Sequence, residues 1–187
     1  MLAAGAFLSV QVTFYILIAF IIAYGVTAPE LALSRDTMLT AVLIAAAIMV
    51  PSQFYFSGLS DRVGRKQIYR WGAILTGLWG FALFPLINTG EPLMIVIAVT
   101  LGLTFLGMQY GPQAAYFTEL FTTEVRYSGA SLGYQIGAIL GGALAPTIAV
   151  LLWNELGIFY VSVYILVAAI LTLLSLSALE ETKGRTL

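Results

Sequence analysis

The sequence predicts an all-α polytopic membrane protein, a single bundle of six transmembrane helices. Three observations carry this. Of the 187 residues, 60% are apolar and only 9% are charged, where a soluble domain has roughly 25% charged residues; mean hydropathy is +0.98. The eight basic and nine acidic residues fall in a few clusters, too few to give a soluble chain of this size its charged shell. Between the clusters lie six uncharged segments, 1–29, 37–60, 71–90, 92–118, 127–154 and 156–179. Each provides the 20 or so apolar helical residues that a hydrocarbon core of about 30 Å requires. The apolar runs are continuous, without polar alternation, which disfavours a β-barrel.

The predicted spans run over about 5–27, 37–59, 69–88, 92–117, 128–152 and 157–179. The first is no signal peptide, having no basic n-region and exceeding an h-region in length. The second lies between Arg35/Asp36 and Asp61/Arg62 and contains Pro51, Ser52 and Gln53. The third follows a basic run and opens on Trp71, an interfacial anchor. Glu91 separates it from the fourth, which carries Pro112. The fifth contains Pro146 and ends at Trp153, a second anchor, and the sixth stops at Glu180/Glu181. Prolines inside spans invite kinks, which suit a moving protein and are also ordinary in membrane helices. The connections at 88–92 and 153–157 are short, so neighbouring helices form antiparallel hairpins.

The basic residues set the orientation. Six spans put Arg62, Arg65, Lys66, Arg70, Arg126, Lys183 and Arg185 on one side and only Arg35 on the other. By the positive-inside rule both termini are cytoplasmic, in a plasma (inner) membrane. A net charge of −1 offers no basic face for nucleic acid. The absence of Cys and His excludes a disulfide framework, a thiol nucleophile, a zinc site and a His-based triad. No cofactor and no metal is expected. Met1 lies close to the first span, which suits a fragment or one partner of a split protein.

Polar residues inside the spans mark a candidate site. Gln11 and Tyr15 lie one turn apart in the first span, Gln53 lies in the second, Gln109, Gln113 and Tyr116 share helical spacing in the fourth, and Ser131 and Gln135 lie in the fifth. At 1.5 Å per residue the glutamines sit roughly 8–14 Å from the cytoplasmic ends. Amides at that depth are costly without partners. They form either the floor of a polar cavity or hydrogen-bonding glue between helices. Gly129, Gly133, Gly137 and Gly141 repeat every four residues and line one face of the fifth span. They permit close approach of another helix, in this bundle or outside it. Ser131 and Gln135 lie about 200° around that helix from the glycines. No Asp, Glu, Lys or Arg lies mid-span, so a proton carrier or a cation for an anionic substrate must come from elsewhere or from a span end, for instance Asp61 or Glu119.

The stretch 57–70 reads SGLSDRVGRKQIYR. Asp61, Arg62, Gly64, Arg65 and Lys66 resemble the D-R-x-G-R-[RK] loop of the major facilitator superfamily of secondary transporters. Ser57 stands where that family's first glycine sits, and Gly58 follows one place later. Glu119 with Arg126, and the tail ETKGRT led by Glu181, are similar to charged elements of its sugar porters and metabolite:proton symporters. The stretch 110–142 resembles the symporter branch, which carries organic acids and zwitterions such as shikimate, 2-oxoglutarate and betaine-like osmolytes. The resemblance covers the whole chain but only the C-terminal six-helix half of a twelve-helix fold. It implies secondary active transport of a small polar metabolite, with proton symport, by alternating access against a missing N-terminal half. It also implies that the first, second, fourth and fifth spans line the site, and that the glycine face is a sliding seam against the other half.

Independently of the family, Asp61, Arg65, Glu119, Arg126 and Glu181 all fall at helix ends on one membrane face. In that partly dehydrated zone their pairs can latch two bundles in one state; as solvated surface pairs each contributes about 0–1 kcal/mol. Besides lipid and a small-molecule substrate, the expected partner is therefore the second six-helix half. The rival readings are a self-assembling six-helix channel or scaffold, or an inactive fragment. A channel calls for a ring of like polar side chains along one helix, whereas the polar residues here spread over four. A membrane enzyme calls for a nucleophile, base or metal ligands clustered near one face, whereas the chain has no His or Cys and its helix-end carboxylates lie beside basic residues.

Overall fold

A computed structural model of the chain describes residues 2–120 and 126–183, with the side chains of Ala3 and Arg126 outside the described set. The described residues are helical with no strand, and six helical rods are long and apolar enough to cross a membrane. The first span joins α1 (Leu2–Tyr15) to α2 (Ile21–Thr27) through a π-helical segment, Ile16–Phe20. The second to fourth are α3 (Arg35–Val63), α4 (Arg65–Ile87) and α5 (Pro92–Glu119). The fifth joins α6 (Arg126–Gly137) to α7 (Ala145–Leu156) through a second π-helical segment, Ala138–Ala143. The sixth is α8 (Ile158–Ser177).

Several helices run past the limits that charge alone sets. The second starts at Arg35, where Ser34 Oγ accepts the Thr37 N–H at 3.0 Å as an N-cap and Asp36 complements the helix dipole. It continues through Asp61 and Arg62, and the third begins at Arg65, because one residue makes the reversal. That residue, Gly64, has φ +131°, a conformation that favours glycine. Gly157, at φ +97°, similarly joins α7 to α8. Charges mark where hydrocarbon ends; a helix stops only where its backbone turns.

Packing is not a simple succession of hairpins. The third and fourth spans pair closely, but the second packs mainly on the fourth, and the first packs on the sixth and fifth. At one end of the bundle Phe20, Tyr24, Phe84 and Trp153 form an edge-to-face cluster, which draws Trp153 into the core's margin. Tyr24 Oη there donates to Asn88 Oδ1 at 2.7 Å. Trp71 stays 50% exposed, as an interfacial anchor requires. At the charged end Phe7 stacks on Phe117 with ring centroids 4.0 Å apart, and Tyr69 Oη donates to the Ala6 carbonyl at 2.9 Å.

The glycine face of the fifth span turns toward the first span of the same bundle. A Cβ on Gly137 would lie 2.7 Å from Phe7 Cβ, and one on Gly141 would lie 3.0 Å from Gln11 Cβ. Gly133 is also buried and Gly129 partly so. The sliding seam against a missing half is therefore corrected: at Gly137 and Gly141 the partner is internal. Leu132, Ile139 and Leu140 are among the exposed apolar residues of this span.

Gly137→Leu should accordingly lower the stability of the detergent-solubilised protein by about 1–3 kcal/mol, since added methylenes meet a filled interface. Gly58→Ala, inside α3 where an added Cβ would meet nothing within 4 Å, should leave the melting temperature unlowered or raise it slightly, since alanine favours the helix.

Candidate functional site

A groove of about 350 Å³ opens between the first, fourth and fifth spans. Its polar lining is Gln113 with Thr118 from the fourth, and Ser131, Tyr134 and Gln135 from the fifth; Phe7 and Phe117 supply apolar wall. Ser131 and Gln135 are one turn apart and both exposed. Gln113 is only 7% exposed, yet its Oε1 has no hydrogen-bond partner among the described residues. An unpaired buried amide oxygen costs about 1–3 kcal/mol, so this atom is a ready acceptor for a hydroxyl or ammonium group entering the groove. Pro112, adjacent, leaves the helix one backbone bond short at this level.

The remaining candidates divide. Gln11 and Tyr15 continue the face of Phe7 one and two turns further along, where they meet Gly141 and Gly142. Gln11 Nε2 is likewise unpaired among the described residues. Gln53 is half-buried beside Gly107 and Gly111 of the fourth span, apart from the groove lining.

Two cavity assignments are corrected. Gln109 has 0% exposure and is fully engaged. Its Oε1 accepts from Ser9 Oγ at 2.6 Å, and its Nε2 donates to Thr76 Oγ1 at 3.2 Å. Thr172 Oγ1 extends this network to the sixth span, accepting the Ser9 N–H at 3.0 Å and donating to the Gly5 carbonyl at 3.0 Å. Gln109 is therefore glue between helices, admitted by the missing side chain at Gly72, where a Cβ would lie 2.7 Å from its Cγ. Tyr116 is buried too, and its Oη donates to the Glu180 carbonyl at 3.0 Å. Sequence reasoning missed Ser9, Thr76 and Thr172, because nothing in their spacing distinguishes them from hydroxyls bonded within their own helix.

The charged end forms one connected assembly. Arg65 Nη2 lies 2.9 Å from Glu119 Oε1 and 3.4 Å from Asp61 Oδ1. The Glu119 side chain is 7% exposed and that of Asp61 58%, so the first pair is the desolvated one. Glu181 works differently. Its carboxylate accepts the backbone N–H groups of Arg65 at 3.0 Å and Lys66 at 3.1 Å, capping the third span from the far end of the chain. It also accepts the N–H groups of Thr182 and Lys183 at 3.0 and 3.2 Å. Lys66 Nζ donates to the Leu179 carbonyl and Lys183 Nζ to that of Arg62. A Cβ at position 64 would lie 2.8 Å from Glu181 Oε2, so Gly64 serves both the turn and the cap. Arg62 is exposed, and the side chain of Arg126 lies outside the described residues. The described pairs join elements within one bundle.

Glu181→Ala should destabilise the protein by about 1–2 kcal/mol, the typical worth of an N-cap strengthened by charge. A double-mutant cycle of Arg65→Ala and Glu119→Ala should show coupling of about 1–3 kcal/mol in chemical unfolding, and the same cycle for Arg65 and the exposed Asp61 less than 1 kcal/mol.

Residues 1–186 match the Major Facilitator Superfamily. The inner membrane metabolite transport protein YhjE of Escherichia coli K12 is 35% identical over 189 residues, covering 96% of this chain and 42% of that protein. The shikimate transporter of the same organism is 30% identical over 170 residues, 83% of this chain and 38% of that protein. Its proline/betaine transporter is 27% identical over 187 residues, 98% of this chain and 36% of that protein. The chain thus spans about two fifths of the length of these relatives. With six spanning helices, a D-R-x-G-R-K turn capped by the tail, and this match over nearly its full length, the chain belongs to the Major Facilitator Superfamily.

Proposed function

We propose that this chain forms one six-helix half of a secondary transporter for a small polar metabolite, an organic acid or a zwitterion. The observation that carries the reading is the groove between the first, fourth and fifth spans, where the buried Gln113 Oε1 has no partner among the described residues and Ser131 and Gln135 stand exposed. Amides and hydroxyls suit a carboxylate or hydroxylated solute, which would bind across the groove between this half and a second one. The names of the shikimate and proline/betaine transporters support that solute class, and the share of each relative that the chain covers leaves room for the second half. Moving a solute by rocking two bundles about a central site needs no bond chemistry from this half.

Proton symport fits the absence of mid-span charge if the proton carrier lies in the other half or at the charged end. The bias of seven of the eight basic residues to that end supports a cytoplasmic position for it and for both termini, in the inner membrane. Asp61 and Arg62, both exposed at that end, would meet the other half there. Arg65, Glu119 and Glu181 hold the platform that presents them.

In the complete transporter, Gln113→Ala and Gln135→Ala should each raise the half-saturation concentration for uptake about two- to tenfold at normal surface expression, the cost of one hydrogen bond to substrate. Gln109→Ala should instead lower expression and thermal stability with half-saturation unchanged. Unchanged uptake in both the Gln113 and Gln135 variants would sink the groove assignment. Collapsing the proton gradient with an uncoupler should abolish accumulation; accumulation that persists would remove proton symport.

A further inference from the structure

On the outer side of the bundle, away from the groove, the third and sixth spans frame a second pocket of about 290 Å³. It is lined by Lys66, Arg70 and Ile74 from one span and by Leu173, Leu176 and Ser177 from the other. We propose that this pocket binds an anionic phospholipid, with the headgroup phosphate between Lys66 and Arg70 and the upper acyl chain against Ile74 and Leu173.

The spacing along both helices supports this. Lys66, Arg70 and Ile74 follow one another at intervals of four, so they share one face of the third span. Leu173, Leu176 and Ser177 share one face of the sixth by the same rule. Both walls grade in the same direction, from polar at the charged end to apolar one or two turns inward. A phospholipid has that profile, phosphate above and hydrocarbon below. A free anion would not use the apolar half of the pocket, and a soluble partner would not reach it in a bilayer.

Arg70 is the residue that needs an explanation. It lies five residues into a membrane-spanning helix, about 7 Å from its start. It is exposed and makes no ion pair or hydrogen bond among the described residues. The neighbouring carboxylates are engaged: Asp61 and Glu119 by Arg65, and Glu181 by four backbone N–H groups. Trp71, next in sequence and half-exposed, marks this level as the interface where phosphates lie. A guanidinium there gains a bidentate phosphate partner without leaving the helix surface. Basic pockets between spanning helices are general binding places for anionic headgroups.

The test is native mass spectrometry of the complete protein released from micelles containing equal amounts of phosphatidylglycerol and phosphatidylcholine. Phosphatidylglycerol should be retained in preference. Arg70→Gln should reduce the lipid-bound fraction about fivefold, on the scale of one basic residue at a membrane surface, and Arg70→Lys should keep most of it. Arg35→Gln, at the opposite end of the bundle, should change nothing. Equal retention of the two lipids, an unaltered fraction in Arg70→Gln, or an equal loss in Arg35→Gln overturns the proposal. A second readout needs no variant at position 70: brominated phosphatidylglycerol should quench the emission that disappears in Trp71→Phe more strongly than brominated phosphatidylcholine does, and equal quenching overturns the proposal as well.

Discussion

The charged end of this bundle depends on how the third span begins. A helix starts with four N–H groups that its own backbone cannot satisfy. Here it starts one residue after the previous helix ends, so no loop is available to fold back and cap it. Glu181 supplies the missing acceptor from 116 residues away, and its negative charge meets the positive end of the helix dipole. The tail is thereby fixed against the turn at Gly64. Its carbonyls at Leu179 and Glu180 are then in place for Lys66 and Tyr116. With the turn held, Arg65 projects between Asp61 and Glu119. A single carboxylate therefore links the second, third and fourth spans to the end of the sixth.

Polar groups inside the bundle follow the same rule of satisfaction, and one helix shows both outcomes. Gln109 and Gln113 lie one turn apart in the fourth span. Gln109 finds hydroxyls on both sides and ties four spans together through Ser9, Thr76 and Thr172. Gln113 lines the groove, and its acceptor has no partner among the described residues. The cost of that unpaired acceptor is a reason to look for its partner in a ligand rather than in the fold.

How much of this is legible in the sequence depends on what each residue type must do. Charges cannot sit mid-bilayer, so the six spans can be counted from them. The helix ends are less legible, because helical geometry continues through Asp61 and Arg62 until Gly64 reverses the chain. The glycine repeat identifies a face of close approach. It carries no information on which helix approaches, and Phe7 and Gln11 of the first span turn out to be the neighbours at Gly137 and Gly141. The amides are legible as a group and not one by one. In a span apolar all round, hydropathy does not tell the face toward the bundle from the face toward a cavity, so Gln109 and Gln113 read alike. The tail motif is legible as a charged element at Glu181; its role as a helix cap is not, because the cap's partners are the backbone N–H groups of Arg65 and Lys66, which leave no trace in residue identity.

These contacts together constrain how such a half can move. The first and fifth spans meet at glycines, where sliding would drive Phe7 Cβ or Leu8 O into backbone. The first, third, fourth and sixth are joined through the hydrogen bonds around Ser9 and Gln109. The Glu181 cap closes the charged end. Shear between helices would break several of these contacts at once, and a packed interface of this kind has discrete rather than graded arrangements. The helical ladder itself is irregular at the π-helical segments of the first and fifth spans, and beside them Gln11 and Tyr15 of the first span meet Gly141 and Gly142 of the fifth. Such π segments inside α-helices are rare and recur at functional sites, which fits their place next to the unpaired Gln11 amide.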